Sequence, residues 1–428
     1  MRLRGIDLGR LNHVLIPQDN ATRDRWRRSL LGRLLRPVAD LVLSLTEEGQ
    51  VLLLMTLLAG LAGLDIPGSL AYLAWALWTG ALGTSVLVSR WWRLREARVE
   101  VRCPPRVTLG EAITFSVEVL NTGAEDLENL RVEGPFLPWD GRWETRLPRI
   151  ARVRPGERAS ITLRGRFRAR GEHNLDPFRV ASLVPLGLCR GPAVETAPAR
   201  FVVVPPLAHV QRLSLPTGQR HQPGGVAMAA RTGESMDLLG IRPYRPGDPV
   251  RDLHARSWAR VGAPVVREYQ QEYFSRVGVV LDTDLRGADH TLLEGALSLV
   301  AGIVARLSRG EALIDLLVLG DAVHDLTVGR AMGFLDQALD LLACVKPIDA
   351  PRPEALSARL APFLPRLSQV VFVALAWDAP RVALARSLAD SGAGLKTYVL
   401  VHREGRITDP DAREVPLRAV TAREPLVL

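Results

Sequence analysis

The longest apolar runs in the chain come early, from Val51 to Leu64 and from Leu70 to Val88, with Asp65-Ile66-Pro67-Gly68 between them. Nearly uncharged stretches joined by a turn-forming tetrapeptide predict a helical hairpin over residues 45–92. The second run alone meets the roughly 20 residues needed to cross hydrocarbon, and the first does so only when extended back to about Glu48. Upstream, Trp26, Leu30, Leu31, Leu34, Leu35 and Val38 recur at helical spacing and predict that residues 1–44 form a basic amphipathic arm on a lipid surface. Downstream the period becomes two. Val99, Val101, Val107, Ile113, Phe115, Val117 and Val119 alternate with polar neighbours, Asn121-Thr122-Gly123 supplies a turn, and strand-like pieces follow at Arg158–Arg168 and Arg200–Val204. An immunoglobulin-like β-sandwich over 95–206 is the economical reading.

Residues 207–232 then read as a linker, with Gly224-Gly225 inside it. From 233 to 428 strands and helices alternate. Strands are expected at Val277–Leu281, Leu313–Leu319, Gln369–Ala376 and Lys396–Val401, and helices at about Leu292–Leu307, Met332–Val345 and Arg381–Asp390. Continuous apolar strands between helices predict a C-terminal α/β domain whose parallel sheet is covered on both faces. The whole is therefore a multidomain chain: transmembrane α-hairpin, β-sandwich, α/β domain.

Charge sharpens this picture. The 428 residues carry a formal net charge of +9, much of it in Arg23, Arg25, Arg27, Arg28, Arg33 and Arg36 before the first apolar run and Arg90, Arg93, Arg95 and Arg98 after the second. The connecting loop holds only Asp65, so the positive-inside rule places both chain ends and the soluble domains in the cytosol. Trp91 and Trp92 stand where an interfacial belt is expected. The arginine excess is explained by the membrane rather than by nucleic acid, so lipid is an expected partner and nucleic acid is not. A cleaved signal peptide is not expected, since the apolar run begins about fifty residues in. Cys103, Cys189 and Cys344 are too far apart for a metal knuckle or a disulfide framework, which suits a reducing compartment.

Signals for catalysis are scarce. No phosphate-binding Gly-x-x-x-x-Gly-Lys loop is present, Lys346 and Lys396 are the only lysines, and the eight histidines are dispersed without a His-Glu-x-x-His pattern. The densest chemical cluster is residues 240–260, Gly-Ile-Arg-Pro-Tyr-Arg-Pro-Gly-Asp-Pro-Val-Arg-Asp-Leu-His-Ala-Arg-Ser-Trp-Ala-Arg. Asp248-Pro249 predicts a helix start, because a carboxylate caps free N–H groups and proline suits the first helical position. A helix from there to about Val261 would put Val250, Leu253, Ser257 and Val261 on one side and Asp252, Arg256 and Arg260 on another. Two readings stand open: Arg251, Arg256 and Arg260 bind an acidic partner, or they form an ion-pair network tying the helix to the sheet.

Tyr244-Arg-Pro-Gly-Asp-Pro-Val-Arg-Asp-Leu-His254, the later Ala259-Arg260 and Val266-Arg-Glu268 resemble the signature of the bacterial family called domain of unknown function 58. The hairpin after Leu45-Thr46, Gly110-Glu111, Arg170-Gly171, Asp176-Pro177-Phe178 and Pro185-Leu-Gly-Leu188 follow that family's order. The chain departs from it at Ala255, where a tryptophan is expected, and at Trp258, where a small hydroxyl residue is usual. The resemblance implies a von Willebrand factor type A-like domain within 233–428, a bacterial inner-membrane location and a MoxR-type AAA ATPase as partner, with no established enzymatic activity. It makes Tyr244, Arg245, Gly247, Asp248, Arg251, Asp252, His254, Arg256 and Arg260 the candidate partner-binding residues.

Domains of that fold commonly hold Mg²⁺ through an Asp-x-Ser-x-Ser loop. Here the loop reads Asp282-Thr283-Asp284-Leu285-Arg286, with Asp378 as a further carboxylate on the same edge. A guanidinium at Arg286 would repel a dication, so an Asp–Arg pair that keeps the loop shape without cofactor is expected, Mg²⁺ being the other outcome. The leading expectation is a membrane-anchored, non-enzymatic scaffold that works with the ATPase in assembly or maturation of partner proteins. The alternative is a divalent-metal-dependent hydrolase on Asp282, Asp284 and Asp378, with His254 carrying protons.

Overall fold

The computed structural model describes residues 2–3, 6–7, 44–63, 70–94, 96–145, 148–215, 238–248, 250–269, 276–310, 312–319, 323–328, 333–348, 353–405 and 407–428. The chain divides into two compact units, residues 1–204 and 205–428. Apart from one short strand pair, Arg2–Leu3 with Ile6–Asp7, the expected amphipathic arm lies outside the described residues, as do the loop at Asp65 and most of the expected linker.

The first unit begins with two antiparallel apolar helices, α1 (Glu47–Gly63) and α2 (Leu70–Ser89). Thr46 caps α1: its hydroxyl oxygen accepts from the Gly49 amide at 3.1 Å while donating to the Gly187 carbonyl at 2.7 Å. The first helix thus starts close to Glu48, and its described length is 17 residues. Gly60 and Trp75 bring the helices close, since a Cβ at Gly60 would lie 2.8 Å from the indole nitrogen. Elsewhere Leu54, Leu57, Leu58, Leu61, Leu73, Leu77 and Leu87 are exposed. Among the described residues two helices are long and apolar enough to cross a membrane, α2 and a helix of the second unit. Only 11% of α2's apolar window is buried by protein, against 72% for the other, which is a core helix.

Eleven strands follow: β1 (Ala97–Arg102), β2 (Arg106–Thr108), β3 (Ala112–Asn121), β4 (Leu127–Glu133), β5 (Gly141–Trp143), β6 (Arg149–Val153), β7 (Arg158–Phe167), β8 (Gly171–Leu175), β9 (Arg179–Ser182), β10 (Val194–Glu195) and β11 (Ala199–Val204). They form sheets in the orders β1-β3-β7-β5, β10-β9-β4-β6 and β8-β11-β2. Period-two alternation buries Ile113, Phe115, Val117 and Val119 on one face of β3. Phe115 packs on Trp143, Phe178 and Phe201 at ring separations of 5.3–5.7 Å. The expected turn forms around a buried Asn121, whose side chain donates to the Glu125 and Val153 carbonyls and accepts from the Gly123 amide.

The hairpin is fastened to the sandwich at its base. Leu45 bridges Cys189, the Thr46 amide donates to the Leu188 carbonyl at 2.9 Å, and the Arg190 amide donates to the Ser44 carbonyl. Leu45, Leu82, Val184 and Cys189 form a small shared core. The approach is close enough to require glycine twice: a Cβ on Gly49 would lie 2.1 Å from the Leu188 carbonyl oxygen, and one on Gly191 would lie 1.9 Å from that of Trp92.

The second unit contains β12 (Val210–Arg212), β13 (Leu238–Pro243), α3 (Ala255–Val261), β14 (Val265–Tyr269), β15 (Arg276–Asp282), α4 (His290–Leu307), β16 (Leu313–Leu319), β17 (Val323–Val328), α5 (Phe334–Cys344), α6 (Pro353–Leu360), β18 (Gln369–Ala374), α7 (Ala379–Asp390), β19 (Gly394–Val401), β20 (Ala412–Pro416), α8 (Leu417–Thr421) and β21 (Leu426–Val427). The main sheet runs β17-β16-β15-β18-β19-β20. Its core strands match the expected apolar runs, and Val277, Val279, Val280 and Leu281 are buried. Two expectations are corrected. The sheet is mixed rather than wholly parallel, because β17 returns antiparallel beside β16 at one edge. The start of the expected linker is structured: β12 pairs in parallel with β21, and Ala208 seats on α4, where a Cβ at Gly302 would lie 2.3 Å from the Ala208 carbonyl oxygen.

Replacing Gly49 by Ala is expected to destabilise the base of the hairpin by about 1–3 kcal/mol, the usual cost of forcing a methyl group into filled space. Thermal unfolding of the detergent-solubilised chain would register the loss. An unchanged midpoint would mean that the loop carrying Leu188 yields freely.

Candidate functional site

Two places carry the candidate residues, the signature around Asp248 and the carboxyl edge of the sheet. In the signature, β13 and β14 pair as an antiparallel hairpin, and the segment between them carries the candidate residues. Asp248 does not start a helix. Its carboxylate accepts two hydrogen bonds from the Arg242 guanidinium, at 2.7 and 2.8 Å, and one from the Arg245 amide at 2.8 Å. Arg242 is a residue that local pattern did not flag, and its fork outcompetes a capping role for Asp248. A 3₁₀ turn follows at Val250–Asp252, Leu253 bridges Val266, and α3 begins only at Ala255. Its cap is His254, whose Nδ1 accepts from the Ser257 amide at 3.3 Å and lies 2.6 Å from the Ser257 hydroxyl. Pro249 lies outside the described residues.

The shortened helix changes which residues share a face. Val250 is off the helix and 72% exposed, while Trp258 and Val261, both on it, are 42% and 65% exposed. Arg245, Arg251, Arg256 and Arg260 are all exposed. Arg251 approaches Asp252 only to 3.9 Å. Arg256 and Arg260 have no carboxylate paired with them among the described residues. The tie that shapes this module is therefore Arg242–Asp248, and the arginines named from sequence point outward together with apolar side chains. Tyr244 is half-buried, its amide donating to the Pro264 carbonyl, and Gly247 has φ +104°, a conformation that favours glycine.

At the sheet edge, Asp282 ends β15, Asp284 follows in the loop, and Asp378 caps α7 by accepting from the Arg381 amide at 3.2 Å. All three converge on the side chain of Arg381, to which local pattern points only weakly. Arg381, 4% exposed, donates from Nε to Asp282 at 2.6 Å, from one terminal nitrogen to Asp378 at 2.7 Å and the Arg286 carbonyl at 3.0 Å, and from the other to the Asp284 carbonyl at 2.5 Å. Asp282 also accepts from the Asp284 and Leu375 amides. Burial pushes the Asp282 carboxyl up from its ordinary value, opposed by Arg381 and these amides. Burial likewise works against the charge on Arg381, yet Asp282, Asp378 and Asp284 carry its pKa above the ordinary value. The expected Asp–Arg pair is present: Arg286 grips Asp284 through Nε at 2.9 Å and a terminal nitrogen at 2.7 Å.

These residues do not fit a divalent ion. The carboxylate oxygens that would ligate it are turned onto guanidinium groups, and among the described residues no three His, Cys, Asp or Glu side chains are grouped to hold a metal. A signal for Arg381 was available in the sequence, though a weak one. Asp378-Ala379-Pro380 marks a helix start, and an arginine in the first helical turn opposes the helix dipole unless a carboxylate claims it.

No protein family and no curated protein matches this chain. Solved structures match it over limited stretches. They include native alpha-2-macroglobulin from Escherichia coli, from domain MG7 to the C-terminus, at 11% identity over 28% of this chain and 20% of that one, with a TM-score of 0.21. A CARDB domain from Pyrococcus furiosus in complex with di-metal ions matches at 13% identity over 25% of this chain and 87% of that one, TM-score 0.18. AvmM, a protein that catalyses macrocyclization in alchivemycin A biosynthesis, matches at 14% identity with the same coverage and TM-score.

The Arg242 fork and the Arg245 amide hold the Asp248 carboxyl down at about 2. A carboxyl depressed on folding stabilises the folded chain fully above its unfolded value near 4, and that contribution is lost as the pH falls through about 2. Asp248→Asn is expected to remove it at every pH, seen at pH 7 as faster amide exchange across Arg242–Leu253. Unchanged exchange there would show that the turn does not rest on this carboxylate.

Proposed function

We propose that this chain is a membrane-anchored, non-enzymatic interaction protein of the domain of unknown function 58 type, acting with a MoxR-type AAA ATPase in assembly or maturation of partner proteins. The observation that carries this reading is the outward face of the signature module. There Arg245, Arg251, Arg256 and Arg260 stand exposed beside the apolar Val250, Trp258 and Val261. Exposed cations around apolar anchors suit an acidic protein surface, with charge steering encounter and the tryptophan supplying contact area. The sheet order supports a von Willebrand factor A-like assignment, since five parallel strands carry one antiparallel edge strand. Paired sheets around an aromatic core support an immunoglobulin-like assignment for the sandwich.

In this reading the hairpin lies in the bacterial inner membrane with both chain ends in the cytosol. The exposed leucines of α1 and α2 and the arginines that flank them support that placement. The hydrolase reading loses support from the engagement of Asp282, Asp284 and Asp378 by Arg381 and Arg286.

Two measurements test the proposal. A reporter fused after Leu428 should be active only as a cytosolic fusion, and activity confined to the periplasm would reverse the topology and remove the ATPase as partner. Changing Arg256 and Arg260 to Glu in the detergent-solubilised full chain should weaken capture of the MoxR-type ATPase about tenfold or more, because two charges reverse at the contact. Undiminished capture by a folded variant would take the docking role away from this face.

A further inference from the structure

In the main sheet the chain runs outward from β15 through β16 to β17, then returns to place β18 on the other side of β15. Open α/β sheets bind ligands in the crevice where the strand order reverses, at the carboxyl ends of the strands. In this protein that place is filled from within. Arg381, in the first turn of α7, extends its side chain to the end of β15, and its donors reach two carboxylates, Asp282 and Asp378, and two main-chain carbonyls, those of Asp284 and Arg286. Every one of these acceptors is oxygen, the donor type that a hard divalent cation takes.

The charges match as well. Asp282, Asp284 and Asp378 contribute −3, and Arg381 with Arg286 contributes +2, leaving −1, the same remainder that a divalent cation among the three carboxylates would leave. We propose that Arg381, with Arg286 beside it, takes the place of a divalent cation at this switch point, so that residues 282–286 keep their shape at any metal concentration. The guanidinium is suited to the task because it is planar, stays charged at every accessible pH and satisfies several fixed acceptors at once. Asp284 and Asp282, each about 95% buried or more, would otherwise be uncompensated negative charge. This proposal concerns residues apart from the docking face and stands or falls independently of it.

The test uses the detergent-solubilised full chain with Mn²⁺ as the probe, read by electron paramagnetic resonance and by amide exchange of residues 282–288 and 375–381. In the wild type, neither EDTA nor Mn²⁺ up to about 1 mM, the weak end of protein sites for hard cations, should alter exchange in these segments. Arg381→Ala should speed exchange in both segments and bind Mn²⁺ at least tenfold more tightly than wild type, with Mn²⁺ returning the lost protection. Arg381→Lys keeps one charge but loses the fork, and should speed exchange without gaining Mn²⁺. Mn²⁺ that protects residues 282–288 of the wild type and is withdrawn by EDTA would overturn the proposal, as would an alanine variant that exchanges like wild type or gains no Mn²⁺. Should Arg381→Ala fail to accumulate, the wild-type titration and Arg381→Lys decide between them, a lysine variant with wild-type protection counting against the proposal.

Discussion

The fork between a guanidinium and a buried carboxylate is the interaction on which the C-terminal unit's central strand depends at both ends. At the start of β15, Arg276 binds Asp315 of β16 through two nitrogens, one at 2.9 Å from its oxygen. At its far end Asp282 is held by Arg381. A buried ion pair is a poor source of net stability, because desolvation consumes most of the attraction, but breaking one leaves a charge stranded. The two forks therefore act as a register constraint. With a strand this apolar, a slip along the sheet costs little in hydrophobic contact, whereas displacing Asp282 from Arg381 or Arg276 from Asp315 leaves a charge without its partner.

In the first unit the corresponding constraint is steric. The hairpin's base and the turn carrying Leu188 approach so closely that only hydrogen atoms fit at Gly49 and Gly191. That closeness lets main-chain groups bond directly from residues 44–46 to 188–190, and it places the buried Arg131 within 3.7–3.9 Å of Glu47, Glu48 and Glu133. Arg190 binds Glu133 from the other side. Charges at the foot of α1 are thereby balanced by the sandwich, and acidic residues in the first turn suit the helix dipole.

Local pattern reached as far as physical cause is local. The two apolar helices, the Asn121 turn and the core strands of the main sheet were legible because each depends on periodicity or on a residue's own hydrogen bonds. Strand β17 was not, because Val323-His-Asp-Leu-Thr-Val is short and half polar, and its pairing is decided by β16. Residues 210–212 read as linker because their partner lies at Leu426–Val427, at the other end of the unit. Asp248 was misread for the same kind of reason: its context offers a helix cap, but a guanidinium six residues back offers two stronger bonds. Arg381 left only the weak trace of its place in a helix's first turn, because its decisive partner is 99 residues away.

The remaining arginines can be sorted by the same geometry. With only two lysines in 428 residues, nearly all cationic work falls to arginine, so residue type alone says nothing about role. Partner distance does. Arg242, Arg276, Arg286 and Arg381, which shape a turn, a strand end or a loop, each hold a carboxylate at 2.9 Å or less. Arg251 reaches its sequence neighbour only at 3.9 Å, and Arg256 and Arg260 are exposed on a helix whose tryptophan and valine also face solvent. A side chain committed to packing would lose conformational entropy and recover it through such a fork, whereas these keep that freedom in the isolated chain. Under the proposed docking role, an acidic surface would order these arginines and cover Trp258 and Val261 together.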